Sequence, residues 1–198
     1  MFTGIISDLG FFKGYSLGKK AMAIVSPGVA PKLGLGDSLA VNGVCLSLIK
    51  RGKNTLSFNL SEETLRRTTL GSCRPGDRLN LELPVTLATR LSGHLVTGHT
   101  DSKGKILKIS PSGEDRRITF SLPEEIKPYC VIKGSVAVNG VSLTITDLTP
   151  TSFDVELVPI TLENTNLGIL KRGDEVNIES DLIGKYVYNW WVKERHRK

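Results

Sequence analysis

Two stretches of this sequence put small thiol or hydroxyl side chains on every second residue: Val44-Cys45-Leu46-Ser47 and Val141-Ser142-Leu143-Thr144. In an extended strand alternate side chains share a face, so Cys45 and Ser47, like Ser142 and Thr144, point one way while apolar residues point the other. Such a face suits hydrogen bonding to a small polar molecule, since burying these groups without partners is costly. A plainer reading has them bonding nearby backbone, with Cys45 packing as a small hydrophobe. Repetition favours the pockets. His94 and His99 lie five residues apart with no cysteine pair or carboxylate at ligand spacing, so no metal site is expected. No glycine-rich phosphate loop of either common type is present.

The polar strands belong to a longer repeat. Ser38–Leu48 matches Ser135–Ile145 at seven of eleven positions, with an offset of 97. The same offset carries Thr64-Leu65, Leu70-Gly71, Gly76-Asp77, Asn80 and Glu82 onto Thr161-Leu162, Leu167-Gly168, Gly173-Asp174, Asn177 and Glu179. Near the start it falls to 94, pairing Thr3-Gly4 with Thr97-Gly98. A period of that length is a duplicated domain. Strands are expected at Ala21–Ser26, Ser38–Val41, Val44–Lys50, Thr55–Leu60 and Arg78–Leu83. Their equivalents are Ile118–Leu122, Val136–Val138, Val141–Asp147, Phe153–Val158 and Glu175–Glu179. Asn42-Gly43 and Asn139-Gly140 are hairpin turns. Ser61 caps a short helix whose Leu65 faces inward, and a second begins near Pro159. About six short strands per half, closed by a helix plug, give an all-β chain of two tandem antiparallel barrels. Pro84–Gly93 joins them, dividing the chain into 1–94 and 95–198.

A final helix, about 182–198, stands outside the repeat, capped by Ser180 or Asp181. Ile183, Val187, Trp190 and Trp191 share one face, widened by Leu182 and Tyr186. That stripe packs either on its own barrels or on another subunit. The 198 residues are 39% hydrophobic and 23% charged, ordinary values for a soluble protein. No apolar run approaches the roughly 18 residues of a membrane span, and no signal segment is expected. Three unmatched cysteines, Cys45, Cys73 and Cys130, argue for a reducing, cytoplasmic setting. The net charge of +6 is scattered apart from the tail Lys193-Glu194-Arg195-His196-Arg197-Lys198. Without interleaved aromatics it reads as solubility and not as nucleic-acid binding.

Met1-Phe2-Thr3-Gly4-Ile5-Ile6, Asn42-Gly43-Val44-Cys45-Leu46, Glu63-Thr64-Leu65-Arg66 and Gly93-His94-Leu95-Val96-Thr97-Gly98-His99 resemble the riboflavin synthase family. So do Asn139-Gly140-Val141-Ser142-Leu143-Thr144 and Asn177-Ile178-Glu179-Ser180-Asp181. The resemblance runs the length of the chain, in order. It implies Greek-key-like barrels, each binding one 6,7-dimethyl-8-ribityllumazine, in a homotrimer held by C-terminal helices. It also implies a four-carbon transfer between two lumazines, needing no cofactor and no metal, across barrels of neighbouring subunits. A lumazine synthase shell is a further possible partner.

By that resemblance the first pocket takes Gly4, Ile5, Ile6, Cys45, Leu46, Ser47, Asn59, Leu60, Ser61, Glu62, Glu63 and Thr64. The second takes Gly98, His99, Thr100, Ser142, Leu143, Thr144, Leu157, Val158, Pro159, Ile160, Thr161 and Leu162, with Lys133 reaching across an interface. Phe2, Ser38, His94, Asn139 and Asp181 match further functional positions. His99 is the candidate for proton transfer, since histidine titrates near neutrality. Cys45, Ser142, Thr144, Asp181 and Phe2 complete the expected catalytic set. Ser47 stands where the family usually has threonine, and Thr100 where it has an aliphatic residue. The rival is a non-catalytic lumazine- or flavin-binding antenna protein sharing these barrels.

Overall fold

A computed structural model describes residues 1–16 and 18–195. His196, Arg197 and Lys198, with the end of the expected helix and basic tail, lie outside the described residues. The first half forms β1 (Asp8–Ser16), β2 (Ala21–Val25), β3 (Ser38–Val41), β4 (Val44–Arg51), β5 (Thr55–Asn59) and β6 (Arg78–Glu82). The second forms β7 (Ser102–Ser112), β8 (Asp115–Ser121), β9 (Ser135–Val138), β10 (Val141–Leu148), β11 (Ser152–Leu157) and β12 (Glu175–Ser180). Each set closes into an antiparallel barrel with the same strand order, β1-β2-β5-β4-β3-β6 and β7-β8-β11-β10-β9-β12. Closure gives each strand two neighbours and leaves no open sheet edge among the described residues.

β1 and β7 are strands that the hydrophobic pattern does not single out. Gly10 and Gly104 interrupt their alternation, and glycine inside a strand usually marks a close approach. It does here. A Cβ on Gly10 would sit 2.7 Å from Leu81 Cδ1, and one on Gly104 would sit 2.4 Å from Ile178 Cδ1. Inward-facing Phe12, Ile24, Leu39, Leu56 and Phe58 fill the first core. Ile118, Phe120, Val136, Phe153 and Ile178 fill the second.

Helices α1 (Glu62–Arg67) and α2 (Pro159–Asn164) follow β5 and β11. Ser61 Oγ accepts from Thr64 N at 3.0 Å, and Pro159 opens α2. Neither helix contains a fully buried residue, yet Leu65 faces inward as expected and packs half-buried on the first core, as Leu162 does on the second. The 3-10 turns behind them complete the plugs, burying Leu70 and Leu167. Pro84–Gly93 holds no strand or helix.

The barrels meet hairpin tip to hairpin tip. Asn42 and Asn139 both have φ +46°, with Gly43 and Gly140 at +75° and +78°, as such tight turns require. A Cβ on Gly43 would lie 2.6 Å from Gly140 N, and one on Gly140 would lie 2.8 Å from Gly43 N. Around them buried asparagines bond reciprocally. Asn80 Nδ2 donates to Asn139 O at 2.9 Å, and Asn177 Nδ2 donates to Asn42 O at 2.8 Å. Asn80 Oδ1 accepts from Asn166 N, and Asn177 Oδ1 from Thr69 N.

Gly43→Ala would force an alanine into the left-handed region and into the facing backbone. The expected loss is at least the roughly 1–3 kcal/mol of one strained residue, read as a lower urea midpoint. A midpoint unchanged from the parent would mean that the tips are not in contact.

Candidate functional site

Buried glutamates position the site. Glu82, at the end of β6, accepts from Thr3 N at 2.6 Å, Thr3 Oγ1 at 2.7 Å and Gly4 N at 3.0 Å. Glu179 on β12 repeats this with Thr97 N, Thr97 Oγ1 and Gly98 N at 2.7, 2.7 and 3.0 Å. Burial raises both carboxyls above their ordinary value, and the hydrogen bonds oppose that rise. Each glutamate thereby holds an extended arm against its own barrel. The tip of each arm then crosses to the other barrel. Gly4 O accepts from Ser142 N at 2.8 Å, and Gly98 O accepts from Cys45 N at 2.8 Å. Only glycine fits, because a Cβ on Gly4 would be 2.5 Å from Ser142 Cβ, and one on Gly98 would be 2.6 Å from Cys45 Cβ.

This crossing regroups the expected residues. Cys45, Glu63 and Thr64 of the first half share a cleft of about 660 Å³ with Gly98, His99 and Thr100, the arm assigned by sequence to the other pocket. That size is in the usual range for a small-molecule site. Gly4 lies instead beside Ser142, and Ile6 packs on the second core together with Leu157 and Leu162. Both polar strand faces point outward, with Val44, Leu46 and Leu48, and Val141, Leu143 and Ile145, buried behind them. The pockets are therefore outside the barrels. Ser47 and Thr144 are exposed, and Ser38 pairs with Ser47 across β3 and β4. Asn59, Ser61, Glu62, Val158, Pro159 and Ile160 are exposed around the two helix starts, while Leu60 is buried and Thr161 half-buried.

Other expected residues serve the frame. Phe2 is fully buried with Ala40, Val96 and Ala137 between the barrels, and its ring has no proton to transfer. Asn139 is committed to the asparagine network, bonding Asn177 N and Asn166 Oδ1. Lys133 sits on an exposed turn at φ +67°. Asp181 Oδ1 caps helix α3 (Leu182–Arg195) by accepting from Ile183 N at 2.9 Å.

His94 is more engaged than its spacing suggests. Its Nδ1 lies 2.7 Å from Ser142 Oγ, and its Nε2 is buried without a hydrogen-bond partner among the described residues. Burial lowers its pKa, and the Asp181 charge opposes that shift.

Sequence reasoning missed Val44, Arg67, Thr68, Asp101, Glu125, Tyr129, Lys185 and Asn189, which also line the Cys45 cleft. Val44, Arg67 and Thr68 adjoin expected residues on β4 and α1, whereas Asp101, Glu125, Tyr129, Lys185 and Asn189 come from loops, a 3-10 turn and α3, outside every quoted motif. Tyr188 of α3 stacks edge-on against Tyr129 at 5.5 Å, bringing the helix to the cleft. Ile183, Tyr186, Val187 and Trp190 stay exposed, so the helix does not spend its apolar stripe on its own barrels.

The family described as lumazine binding domain matches residues 3–84 and again 97–181. The riboflavin synthase of Mycobacterium tuberculosis (H37Rv) is 39% identical over 193 residues, covering 94% of this chain and 96% of that one. Those of Actinobacillus pleuropneumoniae and Bacillus subtilis (strain 168) are 36% and 34% identical, covering 98% and 100% of this chain and 91% and 93% of theirs. Among solved structures, LumP complexed with 6,7-dimethyl-8-(1'-D-ribityl) lumazine superposes with TM-score 0.82 at 22% identity, over 91% of this chain and 99% of that one. LumP complexed with riboflavin gives 0.84 at the same identity and coverage. At that identity the likeness speaks for the fold.

A histidine depressed by burial resists protonation when folded. Its contribution is intact above about pH 6.5 and is lost as pH falls below the unfolded value. The stability gap between the parent and His94→Gln should therefore narrow between about pH 7.5 and 5.5, by urea titration. A constant gap would contradict the burial of the neutral ring.

Proposed function

The chain belongs to the lumazine-binding domain family, with riboflavin synthases as full-length relatives, and on that premise we propose that it is a transferase joining two 6,7-dimethyl-8-ribityllumazine molecules. The products are riboflavin and 5-amino-6-ribitylaminouracil. The observation that carries this reading is the pair of related polar strands, each completed by the other half's arm. Two similar but unequal sites suit two identical substrates with unequal roles.

The chemistry asks little of side chains. The lumazine C7 methyl is acidic because its anion spreads over the ring. A base removes that proton, the carbanion and its partner ring form new carbon–carbon bonds, and the four-carbon unit leaves one molecule for the other. Atoms balance with no oxidant, reductant or cofactor. Holding both rings contributes about 7–11 kcal/mol, against about 10²–10⁴-fold for one general base. His99, in the Cys45 cleft, is the proposed proton carrier. Cys45, Ser142 and Thr144 orient the rings. Ser142 is itself held by His94, with Asp181 supplying charge to that pair.

The reacting molecules meet between subunits of a homotrimer assembled through α3, and Lys133 reaches a neighbour from its turn. The exposed Val187 and Trp190 support this reading. The proposed working place is the cytoplasm, with a lumazine synthase shell as a possible companion. The functional division falls at residues 94 and 95, so a fragment 1–94 keeps its barrel but lacks the His99 wall. The antenna reading is less favoured, because riboflavin synthases match nearly the whole chain at 34–39% identity.

Purified protein given the lumazine alone should release one riboflavin for every two substrates consumed, followed by absorbance. A requirement for nicotinamide, metal or reductant would end this assignment. Val187→Glu on the exposed stripe should dissociate the trimer while each barrel still binds lumazine. Activity should fall by far more than one lost base, since an effective molarity of about 10⁵ M or more is forfeited. Sedimentation and rate on one dilution series would decide. A fully active monomer would refute the shared site.

A further inference from the structure

Helix α3 does more than present an apolar stripe. Gly184 lets it approach the second barrel, where a Cβ would be 2.8 Å from Tyr129 O, and Tyr188 anchors it on the Tyr129 ring. On the side turned to the Cys45 cleft, one turn apart, stand Lys185 and Asn189. Lys185 Nζ lies 2.7 Å from Asp101 Oδ1. Asp101 Oδ2 accepts from Ser180 N and Oγ at 2.8 and 2.9 Å, so the carboxylate is fixed from two sides. An ammonium has three donors, and this contact uses one. Among the described residues nothing bonds the Asn189 amide, which is exposed at the cleft.

The cleft joins two kinds of surface. Around the 2.8 Å bond from Cys45 N to Gly98 O, Val44, Cys45 and Gly98 offer backbone and small side chains, fit for a flat ring. Asp101, Glu125, Lys185 and Asn189 add a rim dense in both donors and acceptors, in which Lys185 and Asp101 are paired. A polyol chain wants such a mixture, since each hydroxyl both donates and accepts. Repeat symmetry does not supply that rim. Ser7 occupies the place equivalent to Asp101, with its Oγ accepting from Leu83 N at 3.3 Å. Helix α3 follows only the second barrel.

We propose that Lys185 and Asn189 are substrate-binding residues that read the ribityl chain of the lumazine in the Cys45 cleft, making this site the polyol-selective one of the pair. The proposal rests on the function argued above. Lys185 donates to ribityl hydroxyls while Asp101 aims it, and Asn189 completes the register.

The test compares two unreactive ligands by equilibrium dialysis, both with an oxo group in place of the C7 methyl that the reaction needs: one lumazine carries the ribityl chain on N8, and the other carries only an N8 2-hydroxyethyl group. In Lys185→Met the preference for the ribityl ligand at one of the two binding steps should fall about tenfold, the size of a lost charged hydrogen bond. Binding of the hydroxyethyl ligand should hold. Lys185→Arg should recover part of the preference, and Asn189→Ala should lower it on its own. Equal weakening for both ligands would assign Lys185 a purely structural role, and an unchanged preference in both Lys185→Met and Asn189→Ala would overturn the inference. If Lys185→Met fails to fold, Asn189→Ala decides alone. Failure of the parent protein to bind either lumazine would instead remove the functional reading itself.

Discussion

The structure depends on two glycine turns that touch. Gly43 and Gly140 face each other across an approximate two-fold axis with no room for a methyl group. Contact that close would strand buried backbone amides and carbonyls, each costly without a partner. The asparagines prevent it. Asn42 and Asn139 supply the left-handed turns and bond the opposite strand, while Asn80 and Asn177 reach across to the other barrel's carbonyls. Among the described residues no fully buried side-chain atom of these asparagines lacks a partner, the condition under which a buried polar network fixes one arrangement and not several. The orientation of the barrels, the crossing of the arms and the closing of the Cys45 cleft all follow from it.

Within that frame the halves have diverged at single positions. Asn166 stands where the first half has Thr69, and bonds Asn42, Asn80 and the Arg78 carbonyl together. Cys45 stands where the second half has Ser142, half-buried against the small cluster of Phe2, Ala40, Val96 and Ala137. Glu82 and Glu179 have not diverged. Each is a buried carboxylate surrounded by donors, and replacing it would leave those amides unpaired.

Much of this was legible in the chain. The duplication, the barrels and the Asn-Gly turns follow from local pattern, because alternation and turn chemistry are read over a few residues. Strand β4's outward Cys45 and β10's outward Ser142 follow from the same alternation. The allocation of the arms did not. Thr97-Gly98 carries no mark of which barrel its tip will touch, and proximity in sequence suggests the wrong one. Phe2 and Asn139 look functional by position, yet the contact between barrels consumes both. Lys185 and Asn189 escaped notice because the apolar face of their helix is the louder pattern.

Crossed arms carry a history. A surface that meets its own copy, tip to tip and arm to opposite barrel, is the isologous interface of a symmetric dimer. Two separate copies of an ancestral half-chain would present these same contacts to one another. The Pro84–Gly93 segment then reads as the scar of a fusion that turned an encounter between two molecules into a fold of one, raising the effective concentration of each half for the other. Once joined, the partners were no longer obliged to be identical. One cleft could acquire a thiol and a lysine while the other kept its serine.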